Sequence, residues 1–185
     1  MQPYDPVGTG YHSYFYSFNT PVTIIKPFNT FGPRQSTRAV IPTIINQILN
    51  SKDKSVKLGN MYPKREFNYV EDVCNGFLAA IKSNKIKGKT INIGGSKEIS
   101  IGGLVNKIKK LLKIKLYIKK DKKRLRDSKS EVKLLKASNR LAFNLLKWKP
   151  KYTGERGLES ALLKTIDWYK LEENRIQANH SDYII

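Results

Sequence analysis

Short runs of β-branched residues alternate with helical apolar stripes along this chain, and that alternation constrains the fold most. The run at 22–25 is followed by apolar residues at 41, 44, 45, 48 and 49, which is a helical spacing. The same order recurs later, with a strand predicted at 89–95 and an amphipathic helix that begins after Ser100. Strands that alternate with helices favour a parallel sheet covered by helices, so the sequence predicts the α/β class.

Further elements follow from local patterns. A strand is predicted at 55–60, a helix within 66–82, a water-facing strand at 113–120, short helices around 131–136 and 138–146, and a long helix at 154–172. The helix within 66–82 is expected to bury Val73, Phe77, Leu78 and Ile81. Residues 1–13 contain two prolines and two glycines without a period, so they are predicted as loop.

Composition narrows the class of protein. The single cysteine, Cys74, excludes an internal disulfide and suits the reducing cytoplasm, and no stretch has the length and apolarity of a membrane helix. The net charge of +20 raises the alternative of a basic nucleic-acid-binding domain, centred on 107–126, where 11 residues are Lys or Arg. Lysine dominates this excess, whereas sites that read bases or clamp phosphates lean on arginine, so nucleic acid is the weaker interpretation.

The segment PFNTFGPRQ leads directly from a predicted buried strand into polar residues. In open α/β sheets, ligands bind beyond the carboxyl ends of the strands, which is where Asn29, Thr30, Gly32 and Arg34 are expected. A plain Gly-Pro turn, with Asn29 bonded to its own backbone, explains the same residues. This segment alone leaves both interpretations open.

Two arginines are candidates for binding an anion. Arg65 precedes an apolar segment, where its planar guanidinium could clamp a phosphate through two hydrogen bonds, unless it pairs with Glu66 or Glu71. Arg126 lies in a predicted loop, where a solvated run of charge is the simpler alternative.

Five segments together resemble one family in their order and spacing. They are PFNTFGPRQ (27–35), KREFNYVEDV (64–73), INIGG (91–95), RLRDSKSEV (124–132) and ASNRLAFNLLKWKPKYTGERGLESALLKTIDWYK (137–170). The chain resembles the C-terminal half of an NAD-dependent epimerase/dehydratase, an extended short-chain dehydrogenase/reductase. It is most similar to nucleotide-sugar 4,6-dehydratases of the UDP-N-acetylglucosamine or dTDP-glucose type, with 4-epimerases as near neighbours.

The resemblance implies an organisation and a set of site residues. It implies a divergent start (1–13), part of a Rossmann-like domain with substrate-lobe insertions (14–100), a mostly nucleotide-sugar-binding lobe (101–172) and a tail (173–185). The residues implied to bind the nucleotide-diphosphate sugar are Asn29, Arg65, Arg126, Val56, Leu58 and Arg34, and those implied to lie beside the nicotinamide are Pro27 and Phe28. Asp127 departs from a usual proline, and Lys147 from a usual glycine before Trp148.

Two motifs that the family uses for chemistry are missing from these 185 residues. There is no Gly-x-x-Gly-x-x-Gly turn for the NAD pyrophosphate, and no Tyr-x-x-x-Lys pair to remove a proton from the sugar hydroxyl. The resemblance therefore implies that NAD is the cofactor but that the chain alone has no catalytic residue and no activity. A truncated enzyme and one subunit of a split enzyme, completed by an N-terminal chain, both remain open.

Overall fold

The computed structural model describes residues 6–125 and 132–174. In that part of the chain the helices are α1 Pro6–Phe18, α2 Val40–Asn50, α3 Val70–Ile81, α4 Ile101–Leu112, α5 Arg140–Leu146 and α6 Gly154–Lys170. The strands are β1 Ile24–Pro27, β2 Thr30–Phe31, β3 Ser55–Leu58, β4 Lys64–Arg65, β5 Asn68–Tyr69, β6 Thr90–Ile93, β7 Ile99–Ser100, β8 Tyr117–Lys120 and β9 Leu134–Leu135. A 3-10 turn covers Lys122–Arg124.

Parallel pairing dominates these strands. β1 runs beside β6, β2 beside β5 and β3 beside β8, each pair parallel. β4 is the middle strand of a small mixed sheet, antiparallel to β7 and parallel to β9. Parallel strands joined through helices confirm the predicted α/β class.

The apolar residues form two cores. The large core gathers α2, α4 and α6 around β3, with Ile44, Leu104 and Leu162 fully buried. The small core lies between α3, α5 and β6 and contains Ile91 and Trp148. Each fully buried aliphatic side chain contributes about 1.5–3 kcal/mol, so most of the folding energy comes from these two clusters. The large core contains residues from Phe31 to Tyr169, on both sides of residue 100. The predicted division of the chain at residue 100 stays a prediction.

The loop predicted over residues 1–13 is wrong from residue 6 onward, where helix α1 begins. Pro6 is the first helical residue, a position that needs no N–H donor, so it does not oppose the helix. Tertiary contacts then outweigh the weak propensity of Gly8 and Gly10. His12 lies in hydrogen-bond contact with Thr90 at 3.0 Å, and the Phe15 ring packs on Gly88.

The prediction of a helix around 131–136 is also wrong, because Leu134 and Leu135 form strand β9 against β4. Helix α3 is where the sequence places it, but its buried face differs. Gly76 lies so close to Ile93 that an added Cβ would approach Ile93 Cγ2 to 2.8 Å. This contact turns α3 so that Val73, Gly76 and Ala80 are buried. Of the four side chains expected inside, only Val73 is buried, and the other three are exposed.

Candidate functional site

A cavity of about 550 Å³ opens beyond the carboxyl ends of β1 and β2. Its polar and cationic lining consists of Asn29, Thr30, Gln35, Arg38, Thr43, Asn60, Arg65 and Arg124. Its apolar lining includes Phe31, Leu58, Pro63, Phe67 and Ile101. The chain thus brings together strand-end loops that lie far apart in sequence, as expected for ligand sites of open α/β sheets.

Asn29 enters the cavity wall directly after β1. Its backbone carbonyl accepts a hydrogen bond from the Asn68 N–H at 2.9 Å, which joins the end of β1 to β5. Its side-chain Nδ2 donates to the Glu66 carbonyl at 3.3 Å. The plain-turn alternative, in which Asn29 bonds to its own backbone, is not the geometry observed. Asn29 instead bridges two strand ends and borders the cavity.

Arg65 is held in the cavity wall by the pairing of β4 on both sides. Its Nη1 donates to the Lys64 carbonyl at 2.8 Å, and the side chain is half-buried. The two carboxylates considered as its partners are engaged elsewhere. Glu66 Oε1 accepts from Asn68 Nδ2 at 3.2 Å, and Glu71 Oε1 lies 3.1 Å from Lys164 Nζ.

The glycine turn after β6 is filled by the protein's own carboxylate. Gly95 N–H donates to Glu66 Oε1 at 3.3 Å, and a Cβ on Gly94 would meet the same oxygen at 2.4 Å. Glu66 is fully buried, and its other oxygen accepts from the Ala137 N–H at 3.1 Å. The Glu66 carboxyl group already occupies this turn, so the turn has no room for the pyrophosphate of a dinucleotide.

The loop from Gly32 to Gln35 is fastened to the C-terminal helix. The Tyr169 hydroxyl donates to the Gln35 carbonyl, and Gln35 Nε2 donates to the Thr30 carbonyl at 2.6 Å. Burial raises the pKa of Tyr169 to about 12, because a phenolate would be poorly solvated there. Gln35 Oε1 is buried and has no hydrogen-bond partner among the described residues.

The structure separates the predicted site residues into groups. Asn29, Leu58 and Arg65 line the cavity. Val56 is fully buried in the large core, behind the lining. Arg34 is exposed, with a left-handed φ of 66°, and lies outside the lining.

Two further predicted residues lie outside the cavity, and a third is not among the described residues. Pro27 and Phe28 lie at the carboxyl end of β1, also outside this lining. Arg126 falls outside the described residues. The ligand roles of all eight residues remain predictions.

Arg124 is a cavity residue that the sequence did not single out. The 3-10 turn that carries it packs on Gly59, where an added Cβ would meet the Arg124 carbonyl oxygen at 2.3 Å. Gly59 is therefore the sequence signal that could have pointed to a close backbone approach. Arg38 and Gln35 were also missed, because their segment follows the strand end by several residues.

Among the described residues, the cavity lining is cationic, with three arginines and no acidic side chain. Such a lining suits an anionic ligand. One of the three, Arg124, is also paired within the protein, since its Nε lies 3.2 Å from Asp121 Oδ2. Other cations of the basic run at 107–126 form ion pairs away from the cavity. Lys107 lies 2.9 Å from Glu155 and 2.7 Å from Glu159, and Lys119 lies 2.9 Å from Asp53.

Within the described ranges, no helix is both long and apolar enough to cross a membrane. The parallel strands, their covering helices and a cationic cavity at the strand ends define a Rossmann-like α/β protein. The family model described as GDP-mannose 4,6 dehydratase matches residues 9–161, and the chain belongs to this family of NAD-dependent epimerases and dehydratases. The predicted resemblance is thereby confirmed.

Relatives in this family cover most of the chain. UDP-glucuronic acid decarboxylase 1 of Xenopus tropicalis is 30% identical over 171 residues, which is 91% of this chain and 38% of that protein. UDP-glucuronate 4-epimerase of Thermodesulfobacterium geofontis (strain OPF15) is 28% identical over 162 residues, covering 86% and 46%.

A solved structure also matches most of this chain and about half of its own length. UDP-glucuronic acid 4-epimerase from Bacillus cereus, in complex with UDP-glucuronic acid and NAD, superposes with a TM-score of 0.74 at 29% identity, covering 86% of this chain and 48% of that one. The chain therefore spans less than half the length of these relatives.

Proposed function

We propose that this chain forms the nucleotide-sugar side of a 4,6-dehydratase or 4-epimerase site. The observation that carries the proposal is the cavity at the strand ends, where Asn29 and Arg65 meet Arg124 above an apolar floor. A nucleotide-diphosphate sugar matches this arrangement, because its diphosphate is anionic and its flat base can pack a ring face against apolar side chains. The names of the relatives support the same ligand class.

We assign the diphosphate to the cationic side of the cavity. Arg65 and Arg124 supply guanidinium groups, which bind phosphate oxygens through paired hydrogen bonds, and Asn29 supplies an amide. Arg126 lies two residues beyond Arg124, and we propose that it also reaches the nucleotide. The apolar Leu58 faces the base, with Val56 supporting it from the core.

We further propose that catalysis needs residues that these 185 residues do not contain. NAD accepts hydride from the sugar in this family, but the sequence has no Tyr-x-x-x-Lys pair, and its glycine turn is filled by Glu66. Pro27 and Phe28, at the end of β1, then form only the edge of a nicotinamide site. Residues outside these 185, supplied either by a longer form of this protein or by a second polypeptide, would complete the enzyme. The chain alone is expected to bind a nucleotide sugar without converting it.

Isothermal titration with UDP, UDP-glucuronic acid, UDP-N-acetylglucosamine and dTDP-glucose tests the binding. Arg65→Gln should weaken the affinity for all four ligands about 10- to 100-fold, since charged hydrogen bonds to phosphate contribute about 1.5–3 kcal/mol. Arg156→Gln is the matched control, because Arg156 is an exposed arginine on α6 outside the cavity. Equal affinity of the two variants, or no binding by the wild-type chain, would reject the proposal.

A further inference from the structure

The parallel strands β3 and β8 place two lysines side by side on their outer face. Val56 and Leu58 of β3 are buried in the large core, so the residue between them, Lys57, points outward. The register sets Lys57 beside Lys119 of β8, and both side chains are exposed. Tyr117, two residues before Lys119, lies on the same outer face. Like charges directly opposite each other destabilise a sheet, so an anion over this face would be stabilising.

The protein's own carboxylates neutralise only part of this charge. The segments 51–58 and 107–125, which contain the two strands, have thirteen Lys or Arg residues and two acidic ones, Asp53 and Asp121. Asp53 pairs with Lys119, and Asp121 with Arg124. Several exposed lysines of these segments have no ion-pair partner in the described part of the chain, among them Lys57, Lys115, Lys120 and Lys122. The outer face of β3 and β8 therefore keeps a positive charge.

Two large apolar side chains stand among these lysines. Tyr117 and Ile118 of β8 are 63% and 46% exposed. Lysine on an exposed strand keeps that strand from pairing with another chain, but such protection does not require an exposed aromatic ring. Tyrosine has an apolar ring and a polar tip, which suit the headgroup region of a membrane. Basic residues grouped with such side chains are typical of proteins that lie on a membrane surface.

Nucleic acid is the other polyanion that this charge could meet. Among the thirteen basic residues of the two segments, Arg124 is the only arginine. Lysine acts as a compact, hydrated point charge, whereas arginine clamps individual phosphates through its planar fork. A bilayer with anionic lipids presents a diffuse negative potential, for which point charges suffice. Lysine combined with exposed apolar side chains therefore favours a lipid surface over nucleic acid.

We propose that the outer face of β3 and β8 binds a bilayer surface rich in anionic phospholipid. The ammonium groups of Lys57 and Lys119 lie at the level of the lipid phosphates, and the Tyr117 ring enters between the headgroups. These three residues lie outside the cavity lining. The inference goes beyond the proposed function and does not depend on it, because lipid binding is measured without any nucleotide sugar.

Sedimentation of the full chain with phospholipid vesicles tests the proposal. The chain should bind vesicles of equal parts phosphatidylglycerol and phosphatidylcholine, less so as salt is added, and should not bind pure phosphatidylcholine. The double variant Lys57→Gln, Lys119→Gln should bind the anionic vesicles about 20-fold more weakly, since each lysine near such a surface contributes about fivefold. Tyr117→Ser should also weaken binding, because it removes the ring from the headgroup region. The double variant Lys82→Gln, Lys85→Gln is the matched control, with the same loss of charge at exposed lysines after α3, and its affinity should stay almost unchanged.

Equal losses for the two double variants would show that net charge alone attracts the vesicles, and the proposal is then overturned. It is also overturned if the wild-type chain ignores the anionic vesicles at low salt, or if Tyr117→Ser binds them like the wild type. A DNA duplex that displaces the chain from the vesicles, and that the Lys57→Gln, Lys119→Gln variant no longer binds, would assign the face to nucleic acid instead. Thermal unfolding of every variant should match the wild type, because the replaced side chains are exposed.

Discussion

Lys147 holds a left-handed backbone conformation, with φ of 55°, immediately after helix α5. Its N–H donates to the carbonyl of Ala142, which ends the helix, and Trp148 then enters the small core. A side chain in this conformation is strained, whereas glycine adopts it without cost. The departure at Lys147 from the glycine expected by resemblance therefore affects helix termination, far from the cavity lining.

Replacing this residue by glycine should stabilise the protein. Lys147→Gly is expected to raise the free energy of unfolding by about 1 kcal/mol, because it relieves the left-handed strain at the helix end. Urea denaturation followed by Trp148 fluorescence measures the change. Lys149→Gly is the control, since Lys149 is not in a left-handed conformation, and it should not stabilise the chain. An unchanged or lowered stability for Lys147→Gly would refute this explanation.

At the scale of elements, Asp72 joins helix α3 to the segment that leads into α6. The carboxylate is buried and accepts hydrogen bonds from the backbone N–H groups of Lys151, at 2.7 Å, and Tyr152, at 2.8 Å. Its backbone carbonyl accepts from the Trp148 indole at 3.0 Å. Two backbone donors, one buried and one partly buried, thus depend on one side chain. Asp72, in the segment KREFNYVEDV, therefore has a structural role and lies outside the cavity lining.

Asp72→Ala should destabilise the fold by about 3 kcal/mol, since it leaves one buried and one partly buried backbone N–H without their carboxylate acceptor. Chemical denaturation would measure the change. Asp167→Ala is the matched control, because Asp167 is an exposed residue in an ion pair with Lys170 at 2.8 Å. Such surface pairs contribute less than about 1 kcal/mol. Similar losses for both variants would show that Asp72 does not fasten these elements.

At the scale of the whole molecule, Tyr169 connects the C-terminal helix to a loop near the start of the described chain. Its hydroxyl donates to the Gln35 carbonyl, 134 positions away, and so ties α6 to the strand-end loop that borders the cavity. The ring is fully buried in the large core. The side chain that packs in the core of α2, α4 and α6 therefore also fixes the position of the loop beside the cavity.

This arrangement predicts a loss of stability in alkali. The pKa of Tyr169 is about 12 in the folded protein against 10.0 ordinarily, so its contribution is complete below pH 10 and is lost as the pH rises toward 12. Near pH 9 the wild type should exceed Tyr169→Phe by about 1 kcal/mol, through the hydrogen bond. That difference should shrink steadily above pH 10 in thermal unfolding. A difference that stays constant up to pH 12 would contradict the assigned pKa.

Much of the fold could be predicted because it depends on local patterns. The β-branched run at β1 and the helical stripes of α2, α4 and α6 carry their own signal in the spacing of apolar residues. The Ser100 cap is likewise local, and its Oγ accepts from the Gly103 N–H at 3.0 Å. Helix α1 could not be predicted this way, because its glycines oppose a helix and distant contacts with Gly88 and Thr90 hold it in place.

The site could be predicted only in part. Asn29 follows a predicted strand, so strand-end reasoning made it a candidate, and Arg65 was a candidate because its guanidinium precedes an apolar segment; both line the cavity. Arg124 could not be distinguished from its neighbours in a charged run, because only the packing of its turn on Gly59 brings it to the cavity. Arg34 follows Asn29 by only five residues but lies outside the lining. Its backbone has a left-handed conformation, which the sequence pattern did not predict.

The sequence by itself determined the α/β class and the family, since each follows from residue types in order. Only the tertiary structure decided which arginines share a cavity, which carboxylate fills the glycine turn, and which face of α3 stays exposed. Those outcomes depend on contacts between distant segments, such as Gly76 against Ile93 and Gly59 against the Arg124 turn. Regular apolar spacing fixes the type of α2, α4 and α6, whereas long-range packing fixes the direction of their side chains and, for α1 and β9, the type of the element as well.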